Sequence, residues 1–190
     1  MANTVRSEIR SSVIYFSGLI VGTLAVDGLL HSLGFLWIGM WFGPAGLSLI
    51  IISFLYSARR RKWITQGKVV VYLRIHEFLA WFGTLLVLVH SGIHFNALIP
   101  WLATLAMLIT TASGLTGKYL LKAAQVKLKA QKAALKTEGV DPEQIEEHLL
   151  SEARLVNKMK QWRIIHFPIT LSFALLVLTH LGGLLYYGWP

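Results

Sequence analysis

The chain has 190 residues, 55% of them hydrophobic and 14% charged, with 18 Lys and Arg against 9 Asp and Glu. Soluble domains carry roughly 25% charged residues, so this composition speaks against a water-soluble globule. There is no cysteine, which excludes disulfides, thiolate-ligated iron–sulfur clusters, cysteine-built zinc sites and covalently attached c-type haem. No GxGxxG or P-loop stands in a strand–turn–helix context, so no nucleotide-binding domain is recognisable.

The spacing of charges predicts the elements. Between Arg10 and Arg59 lie 48 residues with one charge, Asp27; between Glu77 and Lys118 lie 40 with none, and the last 27 residues carry none. A bilayer-crossing helix needs about 20 mostly apolar residues, so these tracts hold two, two and one crossings. The expected fold class is all-α, an integral membrane bundle of five transmembrane helices forming one domain. The spans fall at 12–31, 33–56, 70–95, 98–121 and 164–187. The first follows a basic N-terminus without a small-residue cleavage site and reads as a retained helix, not a signal peptide. Pro44 is expected to kink the second. The turn between the third and fourth runs through Asn96 to Pro100.

All 18 basic residues fall on one side of this arrangement: Arg6 and Arg10, the set from Arg59 to Arg74, and the set from Lys118 to Arg163. The positive-inside rule then puts the N-terminus and both basic loops in the cytoplasm and the C-terminus outside, in a bacterial or archaeal cytoplasmic membrane. The net charge of +9 is an orientation signal and an attraction to anionic membrane lipid, and gives no case for nucleic acid. Residues 118–163 form a polar insertion rich in Ala, Lys, Leu and Glu. Gly139 is placed to end one helix and Asp141-Pro142-Glu143 to begin another, so the fourth span continues into the cytosol and returns as a helical hairpin. Such a loop is either a solvated connector or a docking surface for a soluble partner.

Six of the seven histidines lie in or at the ends of the spans, where ionisable residues are costly and usually functional. His76 and His90 are 14 apart in the third span, and His166 and His180 are 14 apart in the fifth. Fourteen residues fall about 40° short of four full turns and rise about 21 Å, so each pair shares a face with one member near each membrane surface. The third and fifth spans run parallel, which offers His76 with His166 at one depth and His90 with His180 at the other. Two imidazoles across an apolar gap suit a b-type haem held on both axial sides, for electron transfer more than oxygen binding. Two such pairs would hold two haem b; the alternatives are histidines that hydrogen-bond between helices or relay protons, and a non-haem metal. A zinc site would instead want three or four ligands converging at one depth. Gly83, midway between His76 and His90, leaves room for a porphyrin or a neighbouring backbone. Arg74, Arg163 and the Arg59–Lys62 cluster lie at the inner level, where they could pair propionates. His94, one turn beyond His90, competes with it as the outer ligand or meets a propionate or quinone.

His76-x13-His90, His166-x13-His180, SGLTGKYLL (113–121) and WRIIHFP (162–168) together resemble the transmembrane dihaem cytochromes b. That group includes the membrane domains of ferric reductases and NADPH oxidases and the haem core of quinol-oxidising cytochromes b. The resemblance covers the last three spans, roughly half of the chain. It implies haem b ligated by His76 with His166 and by His90 with His180, carrying electrons across the membrane. Two departures stand out: the chain stops after five spans, and it has no flavin- and NADPH-binding domain.

Asp27 and His31, four apart near the outer end of the first span, can meet on one helix face. They are either an interfacial pair reaching for water or the proton acceptor of a quinone site. The expected function is therefore a dihaem cytochrome subunit of a larger oxidoreductase, working with other subunits, a soluble redox protein or quinone. Two alternatives stand beside it: a self-contained quinol- or metal-oxidoreductase, and a haem-free scaffold or proton-linked transporter.

Overall fold

A computed structural model of the chain describes residues 2–93 and 97–188, and among them all regular structure is helical. The helices are α1 (Ala2–Leu33), α2 (Leu36–Ser53), α3 (Leu55–Arg60), α4 (Val69–Ile93), α5 (Leu98–Thr137), α6 (Pro142–His148), α7 (Leu150–Lys160) and α8 (Trp162–Tyr187). Five stretches are long and apolar enough to cross a membrane: Ser7–Leu33, Leu36–Arg60, Val69–Gly92, Leu98–Thr137 and His166–Tyr187. Lipid supplies no hydrogen bonds, so a crossing segment has to satisfy its own backbone, and a helix does so. Large apolar side chains face outward along these helices, among them Val21, Leu24, Trp41, Phe78, Leu105 and Leu178. An apolar exterior of this kind suits acyl chains and would be an aggregation liability in water.

Helix ends follow the local chemistry. Gly34 (φ +69°) closes α1, with Phe35 N–H bonded to the Leu30 carbonyl at 2.9 Å and Gly34 N–H to that of His31 at 3.3 Å. This is the Schellman stop, which needs a left-handed residue just past the helix. The second span stays helical through Pro44, and a one-residue break at Phe54 separates α2 from α3. Ser48 donates its hydroxyl to the Pro44 carbonyl at 2.8 Å, while the carbonyl freed by the missing N–H is that of Met40, four residues earlier. Pro100 sits in the first turn of α5, where the missing N–H costs nothing because those N–H groups have no intrahelical partner.

The expected continuation of the fourth span is one unbroken helix of 40 residues. At 1.5 Å per residue it is about 60 Å long, twice a bilayer's hydrocarbon thickness, so its second half lies beyond a single crossing. It ends at Gly139 (φ +78°), and α6 opens with Asp141 as N-cap and Pro142 in the first turn, as the sequence signals required. In α7 the exposed Glu152 carboxyl is held below its usual range, first by the Ser151 hydroxyl and in lesser part by Lys127.

The chain divides into two compact units. One comprises Met1–Phe16 with Ala112–Ile169, the other Ser17–Thr111 with Thr170–Pro190. The second holds an apolar core of Leu19, Leu30, Ile50, Leu85, Leu88, Val89, Ala103, Met107 and Phe173. Here α2 and α4 run antiparallel in close contact. Gly46 and Gly83 face each other across this seam: a Cβ on Gly46 would stand 2.7 Å from the Gly83 carbonyl oxygen, and one on Gly83 2.8 Å from that of Gly46. Only glycine at both positions permits that approach, the small-residue packing that holds membrane helices together where the hydrophobic effect cannot.

Candidate functional site

The histidine face of α4 is the face that meets α2. His76 donates its Nδ1–H to the backbone carbonyl of Ser53 at 3.1 Å, and His90 donates its Nδ1–H to that of Gly39 at 3.2 Å. Between them Gly83 meets Gly46. The three contacts form a ladder with a step of seven residues, ascending on α4 and descending on α2. Seven residues are about 20° short of two turns, so the ladder stays on one face of each helix for its whole length. The space at Gly83, open to a porphyrin or a backbone on sequence grounds, is taken by a backbone.

Each rung has its own reason. Ser53 is the last residue of α2, where carbonyls run out of intrahelical N–H partners, and His76 supplies a donor there. Ser53 is itself almost fully buried, with its hydroxyl on the Ile50 carbonyl at 2.6 Å. Near Gly39 the deciding residue is Gly43: a Cβ there would lie 2.7 Å from His90 Cδ2 and 2.8 Å from its Nε2. Gly43 is thus a slot for the imidazole. Because carbonyl oxygens only accept, Nδ1 carries the proton in both rings, and in the neutral imidazole Nε2 then bears the lone pair.

A residue that the sequence reading missed completes the His76 rung. Tyr56 of α3 stacks on the His76 ring, centroids 5.5 Å apart at 27°, and its hydroxyl accepts from Arg60 at 3.2 Å. Nothing in local spacing flags Tyr56, since it lies 20 residues from His76 in another helix. Its neighbour Arg59, offered as a propionate partner, instead closes the α3–α4 turn, donating to the carbonyls of Ile64 and Gly67. Arg74 is exposed on α4.

In the other unit, His166 Nδ1 stands 3.3 Å from Ser113 Oγ, and a Cβ on Gly114 would reach its Cε1 at 3.8 Å. The two segments singled out by sequence, 113–121 and 162–168, therefore touch through a candidate ligand. Pro168 lies two residues beyond it, within the first two turns of α8. The Arg163 side chain and His94 lie outside what the structure describes. Half-buried His180 is seven residues past Phe173, whose ring belongs to the core of the unit that also holds His90. His76 belongs to that unit as well, whereas His166 belongs to the other.

Near the C-terminal end of α1, His31 Nδ1 donates to the Asp27 backbone carbonyl at 2.9 Å and stands 3.6 Å from its carboxylate. The carboxylate is turned to α4, 3.6 Å from where a Cβ on Gly92 would be. Its Oδ1 is buried and accepts no hydrogen bond among the described residues. Such an orphan costs about 1–3 kcal/mol. Asp27 is thus set two residues beyond His90 in sequence register on the facing helix, and His31 alone does not satisfy it. Among the described residues no three His, Asp or Glu side chains converge as a metal-binding cluster.

No protein-family model, curated protein or solved structure matches the chain.

Proposed function

We propose that the chain is a dihaem b-type cytochrome subunit that carries electrons across a membrane between redox partners or quinone, within a larger oxidoreductase. The observation that carries this reading is the state of the α4 histidines. Both hold Nδ1–H on a backbone carbonyl, the outer-shell arrangement that fixes a metal-ligating imidazole's tautomer, orients its ring and raises the basicity of Nε2. Gly43 makes room for the His90 ring against α2, so that this orientation is fixed by packing as well as by the hydrogen bond.

Haem b held by these histidines would supply a one-electron couple. The chain's own residues do the rest. His90 and His180 would hold the outer group, and His76 and His166 the inner one. The carbonyls of Ser53 and Gly39 hold the α4 rings, and Ser113 holds His166. The exposed apolar flanks of the helices keep the path in lipid. Topology follows the basic residues, with the N-terminus and the 118–163 insertion in the cytoplasm, the latter a helical hairpin that receives a soluble redox partner.

The Asp27 carboxylate favours a second reading, a self-contained quinol oxidoreductase. Its orphan oxygen beside the outer end of α4 is a proton acceptor within reach of a bound quinol.

The test is haem quantification with a reduced-minus-oxidised spectrum on purified chain. Wild type is expected to carry two haems, and His90→Ala one, while His94→Ala keeps both. A folded wild-type chain without haem overturns the proposal and leaves a scaffold or transporter. Quinol turnover by the isolated haem-loaded chain, lost in Asp27→Asn, would establish the second reading over the first.

A further inference from the structure

Three helices end in a Schellman motif among the described residues. After α1 and α5 the left-handed position past the helix is glycine, Gly34 and Gly139. After α3 it is Lys62, at φ +63°, the one non-glycine residue with positive φ among those described. The hydrogen bonds are the same: Trp63 N–H to the Ala58 carbonyl at 3.0 Å and Lys62 N–H to that of Arg59 at 3.2 Å. A Cβ in this conformation is strained, and glycine would relieve it. The fold itself therefore gains nothing from a lysine here, and an outlier of this kind points to a use for its side chain.

The surroundings indicate what use. Arg59 spends its guanidinium inside the turn, on the carbonyls of Ile64 and Gly67 at 2.8–3.2 Å, which fixes the shape of the turn. Arg60, Arg61 and Lys62 are then left exposed on it. Trp63 is 75% exposed, with the Arg61 guanidinium over its ring at 5.5 Å. Exposed apolar side chains flank the turn on both sides in sequence, Phe54 and Leu55 before it and Val70 and Val71 after it. The turn joins two helices long enough to cross a membrane, so it lies at headgroup depth, where amphipathic Trp and cationic side chains are stable.

We infer that this turn, residues 60–63, is a discrete binding site for the phosphodiester of an anionic membrane phospholipid, built around the Lys62 ammonium. Arg60 and Arg61 flank the phosphate, Trp63 seats the glycerol region, and the acyl chains lie along the apolar flank. The site owes nothing to the haem reading.

The test uses the intact chain in detergent, with dioleoylphosphatidylglycerol and dioleoylphosphatidylcholine as probes and retained lipid counted by native mass spectrometry. Wild type should retain the glycerol lipid over the choline lipid. Lys62→Gly should weaken that retention about fivefold, the contribution of one cation at an anionic surface, while its melting temperature stays level or rises. Lys62→Arg should keep it. Equal retention of the two lipids, or undiminished retention by Lys62→Gly, would overturn the site and leave these cations as topology signals alone. Full displacement of the lipid by inorganic phosphate would also overturn it, since the occupant would then be a soluble anion.

Discussion

The two packed faces of α4 are both polar in part, and they are built differently. Toward α2 the polar groups are imidazoles anchored on backbone carbonyls, His76 on Ser53 and His90 on Gly39. Toward α5 they are hydroxyl pairs, Thr84 with Thr111 at 3.2 Å and Ser91 with Thr104 at 2.9 Å, again seven residues apart on each helix. Ser91 and Thr104 also back-bond to carbonyls of their own helices, at Val87 and Pro100. Each hydroxyl has one proton, so either Ser91 or Thr104 gives up its own-helix carbonyl whenever the bond across the seam forms, an exchange within a structural contact. The imidazoles reach across to another helix with one nitrogen, and that bond determines which nitrogen keeps its lone pair. One face joins helices through hydroxyls; the other joins them through imidazoles whose Nδ1 is committed to a neighbouring carbonyl.

Five substitutions would break or sharpen that contrast. The largest effect is expected from His90→Ala, which should lose one of two haems, where Ser91→Ala on the neighbouring face keeps both; pyridine haemochrome assay on each purified variant decides it. Loss of haem from Ser91→Ala with retention by His90→Ala would reverse the assignment of the faces. Next, Gly46→Leu should destabilise the helix pair by about 3 kcal/mol through overpacking, read from thermal or denaturant unfolding in detergent. A tolerated leucine would mean that the α2–α4 seam is looser than the 2.7 Å approach at Gly46 requires.

Gly43→Ala is subtler. Its Cβ displaces the His90 ring and should change the low-spin electron paramagnetic resonance signal of one haem while leaving stoichiometry at two. An unchanged signal would remove Gly43 from the site. The smallest effect belongs to Thr84→Val, which should cost about 0.6 kcal/mol, the average for hydrogen bonds between membrane helices, and should leave both spectra untouched.

Much of this was legible in the residues. Charge spacing located five spans, and Gly139 with Asp141-Pro142 located the stop and restart beyond α5. The equal spacing of His76/His90 and His166/His180 identified the shared faces. The second span breaks at Phe54, between α2 and α3, a position that no proline or glycine marks, while Pro44 is carried inside α2, as membrane helices tolerate. Tyr56, Ser53, Gly39 and Gly43 were invisible for a related reason: each acts on a histidine in another helix, at 20 to 51 residues' remove.

The sequence alone therefore determined which residues lie in helices, how many helices can cross a membrane, and which side chains share a face. Those follow from hydropathy and from 100° per residue, both local properties of the chain. Only the tertiary structure decided what opposes each face. Around a membrane helix nearly every direction is apolar, so amphipathicity does not point inward as it does in water. The choice of neighbour rests on close packing and on single hydrogen bonds. Gly46 against Gly83 brought α2 onto the histidine face of α4, and the carbonyls it carried there oriented the rings of His76 and His90 and placed a proton on Nδ1 of each.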